Sequence, residues 1–168
     1  MDSSEVYHVK QQFILGAYPA LANTPTPDTI SPDYVPILVY KARAFLALDD
    51  PASALALIPE DTDNIALRAV AALAKGDEGL ETLRDLCVEI EGDGDEEFTE
   101  WDTDMARVLA TTAFIRAGEI EEALETLNDA EKAGDETYFL PFVASSAINL
   151  LSHPCQICPT LPNLLFSF

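Results

Sequence analysis

Three residues near the end of the chain have side chains suited to metal or redox chemistry. Cys155 and Cys158 form a Cys-x-x-Cys pair, and His153 lies two residues before it. A zinc site needs about four ligands, and this segment offers three at most. A thioredoxin-type pair is expected near a βαβ pattern, which the sequence lacks. A small metal or redox module therefore stays a minor alternative, and we expect no metal or cofactor.

The strongest run of charge, residues 91–104, offers carboxylates that resemble a calcium loop only loosely. A calcium loop needs oxygen ligands at defined spacings that close on a bidentate glutamate, and the candidates here are Asp93, Asp95, Glu97 and Glu100. The segment is better interpreted as an exposed acidic loop. Its aromatic residues, Phe98 and Trp101, are expected to anchor the loop to the next helix, with contact to a partner as the alternative.

No constellation typical of an enzyme is present in the sequence. It has no Gly-rich phosphate loop, no G-x-S-x-G and no H-E-x-x-H motif. The chain has two histidines, and His8 is expected on the surface. Cys87 shares a helix face with Leu83, Leu86 and Ile90 and is predicted to be core. We therefore expect a protein that is not an enzyme.

Composition restricts the possible partners. The 168 residues include 30 Asp and Glu against 9 Lys and Arg, a net charge of −21. Such a surface repels nucleic acid and anionic lipid headgroups, so membrane contact is expected only through a partner. The charge serves solubility or attracts a basic partner. Without an apolar run of about 18 residues or a secretory signal at the N-terminus, we expect a cytosolic protein.

The elements that organise these residues are helical hairpins, most clearly at residues 110–130. Small and apolar residues recur at helical spacing up to Gly118, which predicts a turn. The helix after it begins with acidic residues, and its buried face is predicted to comprise Ile120, Ala123, Leu124, Leu127 and Ala130. Such a hairpin cannot bury its apolar faces alone, so similar neighbours are expected.

The same layout occurs upstream, at residues 40–58. Phe45 and Phe114, Asp49 and Gly118, and Ala54 and Ala123 are each 69 residues apart. This is close to twice the tetratricopeptide period of about 34 residues, and a third unit lies between them at residues 65–90. We predict an all-α fold, an α-solenoid of tetratricopeptide-like hairpins wound into a right-handed superhelix. An ordinary α-bundle is the alternative.

The remaining sequence completes this array. At residues 3–24 we predict a first hairpin, capped by Ser3 or Ser4 and turning at Gly16. Further helices are predicted at about 34–48, 51–58, 63–75, 77–91, 102–117 and 119–132. Residues 1–135 then form the repeat domain. Residues 136–168 form an atypical apolar segment with several prolines, in which a closing helix is possible near 142–151.

Residues 5–23 resemble the N-terminus of the epsilon subunit of coatomer. The resemblance rests on Val9-Lys10, Phe13, Gly16-Ala17-Tyr18 and Asn23, and on the helix YKARAFLAL with Tyr40, Arg43, Ala44 and Leu46. The hairpin at 106–130 is also similar to one in that family. The resemblance covers about residues 5–135. Family members continue through further repeats, so the chain resembles their N-terminal part.

This resemblance implies a structural subunit of the COPI vesicle coat, cytoplasmic and peripheral on Golgi membranes and coated vesicles. The family's epsilon subunits curl around the C-terminal domain of the alpha coatomer subunit in Golgi-to-ER retrograde and intra-Golgi transport. From inner-helix geometry, the candidate partner contacts are Tyr40, Arg43, Leu46, Arg107 and Thr111, and packing between helices is the alternative for each. A generic tetratricopeptide adaptor is the second hypothesis. Adaptors that clamp a carboxylate need a Lys/Arg cluster, which the inner helices lack.

Overall fold

The computed structural model describes residues 3–92 and 98–132, with side chains described as far as residue 127. Within these ranges the regular structure is helical, which confirms the all-α prediction. The α-helices are α1 (Ser4–Ile14), α2 (Tyr18–Ala22), α3 (Tyr34–Ala47), α4 (Pro51–Leu57), α5 (Ile65–Ala74), α6 (Leu80–Gly92), α7 (Glu100–Ala117) and α8 (Ile120–Lys132). A 3₁₀ turn, Gly76–Gly79, precedes α6.

Polar side chains fix where several of these helices begin. A side-chain oxygen of the capping residue accepts a hydrogen bond from a backbone N–H three residues later, which satisfies a donor that the helix itself leaves unpaired. Among the described residues, caps of this kind are Ser3, Asp50, Asn64 and Thr99. Pro51 follows Asp50 in the first turn of α4, where its missing N–H is harmless.

Three hairpin turns share one backbone conformation. Gly16, Asp49 and Gly118 have positive φ angles of 72°, 62° and 83°. At each turn the N–H of the following residue donates to a carbonyl five residues earlier, as in a Schellman motif. These bonds run from Ala17 to Gln12, from Asp50 to Phe45 and from Glu119 to Phe114, at 2.9–3.0 Å. The repeat spacing of the sequence is thus reproduced in the turns.

The hairpin between them, α5 with α6, turns differently. Gly76 also has a positive φ, of 64°, but the chain continues directly into the 3₁₀ turn. There the backbone of Gly79 lies against α5, so close that a Cβ would come within 1.9 Å of the carbonyl oxygen of Ala72. This close approach distinguishes the turn of the third hairpin from the other three.

The helices stack as repeated hairpins in two layers, which supports a solenoid-like arrangement. The first helices of the hairpins, α1, α3, α5 and α7, contact one another in chain order. The second helices α2, α4 and α6 each contact the first helix of their own hairpin and that of the next, and α8 packs on α7. The right-handed twist of a superhelix stays a prediction.

The helix α3 is covered along most of its length. Each residue of α3 from 37 to 44 is buried, including Lys41. Its Nζ donates to the carbonyl of Thr24 at 2.6 Å and to Oγ1 of Thr26 at 3.1 Å. Burial lowers the pKa of Lys41, and these bonds hold the proline-rich connection from α2 against α3.

Some side chains predicted to be buried are exposed. Ile120 and Leu124 of α8 are 52% and 55% exposed, whereas Ala123 is buried. The sequence pattern was correct in placing an apolar face on α8, but α7 covers only the side that carries Ala123.

Other predictions are confirmed or lie outside the described residues. Phe98 and Trp101 are half-buried against the core, as expected for anchors of the loop, and His8 is exposed. Cys87 is half-buried and packs against the core. Outside the described residues lie Asp93, Asp95 and Glu97 of the calcium alternative, His153, Cys155 and Cys158, and the helix near 142–151.

Candidate partner-binding surface

Three of the five candidate contact residues lie inside the helix packing. Tyr40, Arg43 and Thr111 are 2%, 7% and 1% exposed. Leu46, near the end of α3, and Arg107, in the middle of α7, are partly exposed. Contact with a partner stays a prediction for all five, but without rearrangement only Leu46 and Arg107 are accessible to one.

The guanidinium of Arg43 is a buried contact between hairpins. It lies over the ring of Phe13 in α1 at 4.5 Å from the centroid, and 5.9 Å from that of Tyr40. Its Nη1 also approaches Sδ of Met105 in α7 at 3.6 Å. Burial lowers the pKa of Arg43 to about 10, although the nearby Tyr40 and Tyr18 partly oppose this by raising it. Arg43 thus remains charged at neutral pH and connects α1, α3 and α7.

Thr111 lies in the same layer, within α7. Its Oγ1 is buried and finds no hydrogen-bond partner among the described parts of the chain. A buried hydroxyl without a partner costs about 1–3 kcal/mol. The neighbouring Thr112 avoids this cost, since its Oγ1 donates to the carbonyl of Val108 at 2.7 Å.

Arg107 lies on the side of α7 that faces α6. It is close enough to Cys87 to lower the pKa of that thiol, although burial dominates and raises it to about 11. The Cys87 thiol is therefore protonated at neutral pH and is a poor nucleophile. Leu46, by contrast, lies beside the Asp49 turn at the end of α3.

Sequence reasoning missed an ionic cluster around Arg84 of α6. The Arg84 guanidinium donates to carboxylates of Glu122 at 2.7 Å, Glu119 at 2.5 Å and Glu81 at 3.0 Å. These bonds raise the pKa of Arg84 and lower that of Glu122. The only signal in the sequence was a single cation within an acidic helix. Its partners Glu119 and Glu122, at the start of the α8 hairpin arm, lie more than 30 residues away.

None of the helices within residues 3–92 and 98–132 has the length and apolar character needed to cross a bilayer.

Comparison with known proteins identifies the family. No curated protein and no solved structure matches the chain. Among protein families, the one described as coatomer epsilon subunit matches residues 2–135. This range covers all described helices and most of the 168 residues, and it agrees with the resemblance found over about 5–135. The chain therefore belongs to the coatomer epsilon subunit family.

Proposed function

We propose that this chain is a non-enzymatic structural subunit that binds and stabilises the C-terminal domain of the alpha coatomer subunit. The family is a component of the COPI coat, and this membership is the observation that carries the proposal. We further propose that it acts in Golgi-to-ER retrograde and intra-Golgi vesicle transport. It would be cytoplasmic and peripheral on Golgi membranes, with lipid contact only indirect through the coat.

The distribution of charge supports a partner with basic and apolar groups. The chain has only nine Lys and Arg residues, and several of those in the described part of the chain are engaged within the fold. Lys41 holds the proline-rich connection, Arg43 is buried, and Arg68 and Arg84 pair with glutamates. Most surface charge left for a partner is therefore negative, which favours association with a positively charged surface.

Accessibility reduces the number of candidate contact residues. Burial of Tyr40, Arg43 and Thr111 favours the alternative that these three pack between helices. Leu46 is half-buried at the core boundary, and Arg107 is partly exposed. We propose Leu46 and Arg107 as the contacts to test first.

The test is a binding titration of the full chain with the C-terminal domain of an alpha coatomer subunit. We expect a one-to-one complex that weakens between about 0.1 and 0.5 M salt, because screening shortens the reach of surface charge. Leu46→Gln should weaken the complex about tenfold, or about 1.4 kcal/mol, because it removes an apolar contact. Arg107→Gln should weaken it to a similar extent by removing a specific hydrogen bond to the partner, since loss of the positive charge alone would favour a basic partner.

The chain offers a matched control for each variant. Leu48→Gln lies two residues from Leu46 at the same helix end, where Leu48 is 42% exposed. Arg116→Gln lies on the last turn of α7, and Arg116 is exposed. Both controls should bind like the unmodified chain. No binding by a chain that is helical by circular dichroism would contradict the proposal and favour the generic adaptor.

A further inference from the structure

The outer face of α8 is apolar and exposed. Ile120, Leu124 and Leu127 recur at helical spacing, and the first two are about half exposed. The side of α8 that faces α6 is a different one, since Glu119 and Glu122 bind Arg84 there. Glu122 and Leu124 are about 200° apart around a helix of 3.6 residues per turn. We call Ile120, Leu124 and Leu127 the α8 outer face.

The internal repeat shows what such a face does elsewhere in the chain. By the spacing of 69 residues, Leu124 and Leu127 correspond to Leu55 and Ile58. Leu55 of α4 is half-buried, and Ile58, directly after α4, is only 7% exposed. The helix α4 packs against α5 of the next hairpin. The equivalent face of α8 is therefore built to receive a following apolar segment.

We propose that this occupant is the segment 137–151 of the same chain, TYFLPFVASSAINLL. This segment is rich in aromatic and branched apolar residues, and residues 137–168 contain no Asp, Glu, Lys or Arg. An uncharged apolar segment can cover the α8 outer face without bringing a charge into the contact. The proposal does not depend on binding to the alpha coatomer subunit.

Distance and connectivity permit this contact. From Leu124 to Lys132 the helix rises about 12 Å, and the five residues 133–137 can span about 16 Å when extended. A segment tethered so closely has an effective concentration of about millimolar or more.

Charge argues against a second copy as the occupant. Each chain carries a net charge of −21, so two copies that approach through the same face repel one another. The neutral segment 137–151 does not meet this repulsion.

The first experiment places the photo-reactive residue p-benzoylphenylalanine at position 124 of the full chain. Leu124 is 55% exposed, so the probe should be accommodated without disturbing the fold. We expect crosslinks to peptides of residues 137–151 within a single chain at micromolar concentration. The matched control carries the probe at Val88, which is 67% exposed on α6, and should give none.

Each other outcome overturns the proposal. Crosslinks between two chains would identify a second copy as the occupant. An absence of crosslinks to residues 137–151, or equal crosslinks from positions 124 and 88, would show that the segment does not occupy the α8 outer face.

A second measurement does not need the probe. In the full chain carrying Phe139→Ser and Phe142→Ser, amide hydrogen exchange at residues 120–127 should become about tenfold faster, while exchange in α3 stays unchanged. Unchanged exchange at residues 120–127 would overturn the proposal.

Discussion

Replacement of Gly79 by alanine tests the close contact between α5 and the 3₁₀ turn. An added Cβ would lie 1.9 Å from the carbonyl oxygen of Ala72 and 2.6 Å from its carbonyl carbon. Both atoms belong to the backbone of a helix whose Ala72 is buried. Because no side-chain rotation can relieve this overlap, the turn and the start of α6 must move away from α5.

Two opposing effects set the size of the change. Overpacking of a well-packed interior costs about 1–3 kcal/mol, and a backbone overlap belongs at the upper end of that range. Alanine gains up to about 1 kcal/mol over glycine in helical backbone. The net loss in the free energy of unfolding is therefore about 2 kcal/mol. For a chain of this length, this corresponds to a fall in Tm of about 4–8 °C.

The assay is urea unfolding of the full chain, followed by far-ultraviolet circular dichroism. Gly79→Ala should lower the midpoint without changing the slope. Gly92→Ala is the matched control, since Gly92 is also helical and a Cβ there meets nothing within 4 Å. It should leave the midpoint unchanged or raise it slightly. Equal midpoints for the two variants would refute the reasoning about the contact with Ala72.

Three further predictions concern single side chains. Asp49→Gly should raise the free energy of unfolding, measured in urea, by up to about 1 kcal/mol, because Asp49 has a φ of 62° that glycine adopts without strain. A lower free energy of unfolding would show that contacts of the Asp49 carboxylate outweigh the backbone strain. Thr111→Val should be neutral or stabilise by about 1 kcal/mol and leave partner binding unchanged, because it removes a buried hydroxyl without a partner in the described chain; weaker binding would identify Thr111 as a contact. Arg84 holds the pKa of Glu122 below its usual range. The ion pair therefore stabilises the fold at pH values above the usual glutamate pKa of about 4.3, and this stabilisation is lost as the pH falls below it. Arg84→Gln should flatten the fall in Tm between about pH 5 and 3, and an unchanged pH profile would contradict the role of the cluster.

The sequence predicted the hairpins well because their turns depend on local chemistry. Gly118 and Gly16 adopt a left-handed conformation that closes a helix within a few residues. Asp49 was found by its spacing to Gly118, although aspartate is less suited to that conformation than glycine. Ser3 was a correct cap candidate because its bond to the N–H of Val6 also lies within one turn.

Side-chain burial was harder to predict because it depends on contacts between distant helices. Leu124 belongs to an apolar pattern, but the pattern does not state whether another element covers it. Arg43 is charged and lies on an inner helix, which favoured a partner contact. Its burial follows from Phe13 and Met105, which lie 30 and 62 residues away in the sequence.

The negative charge of the chain has a local cause in addition to any role in binding. Asp50, Asp77 and Glu119 lie at or just before the starts of second helices, where carboxylates interact favourably with the helix dipole. The pKa of Asp50 is lowered because its carboxylate accepts hydrogen bonds from Ser53. These carboxylates would be favoured even without a basic partner, so net charge alone does not identify one. The salt dependence of the complex separates the two roles, because a capping bond within the fold remains at salt concentrations that screen attraction between two surfaces.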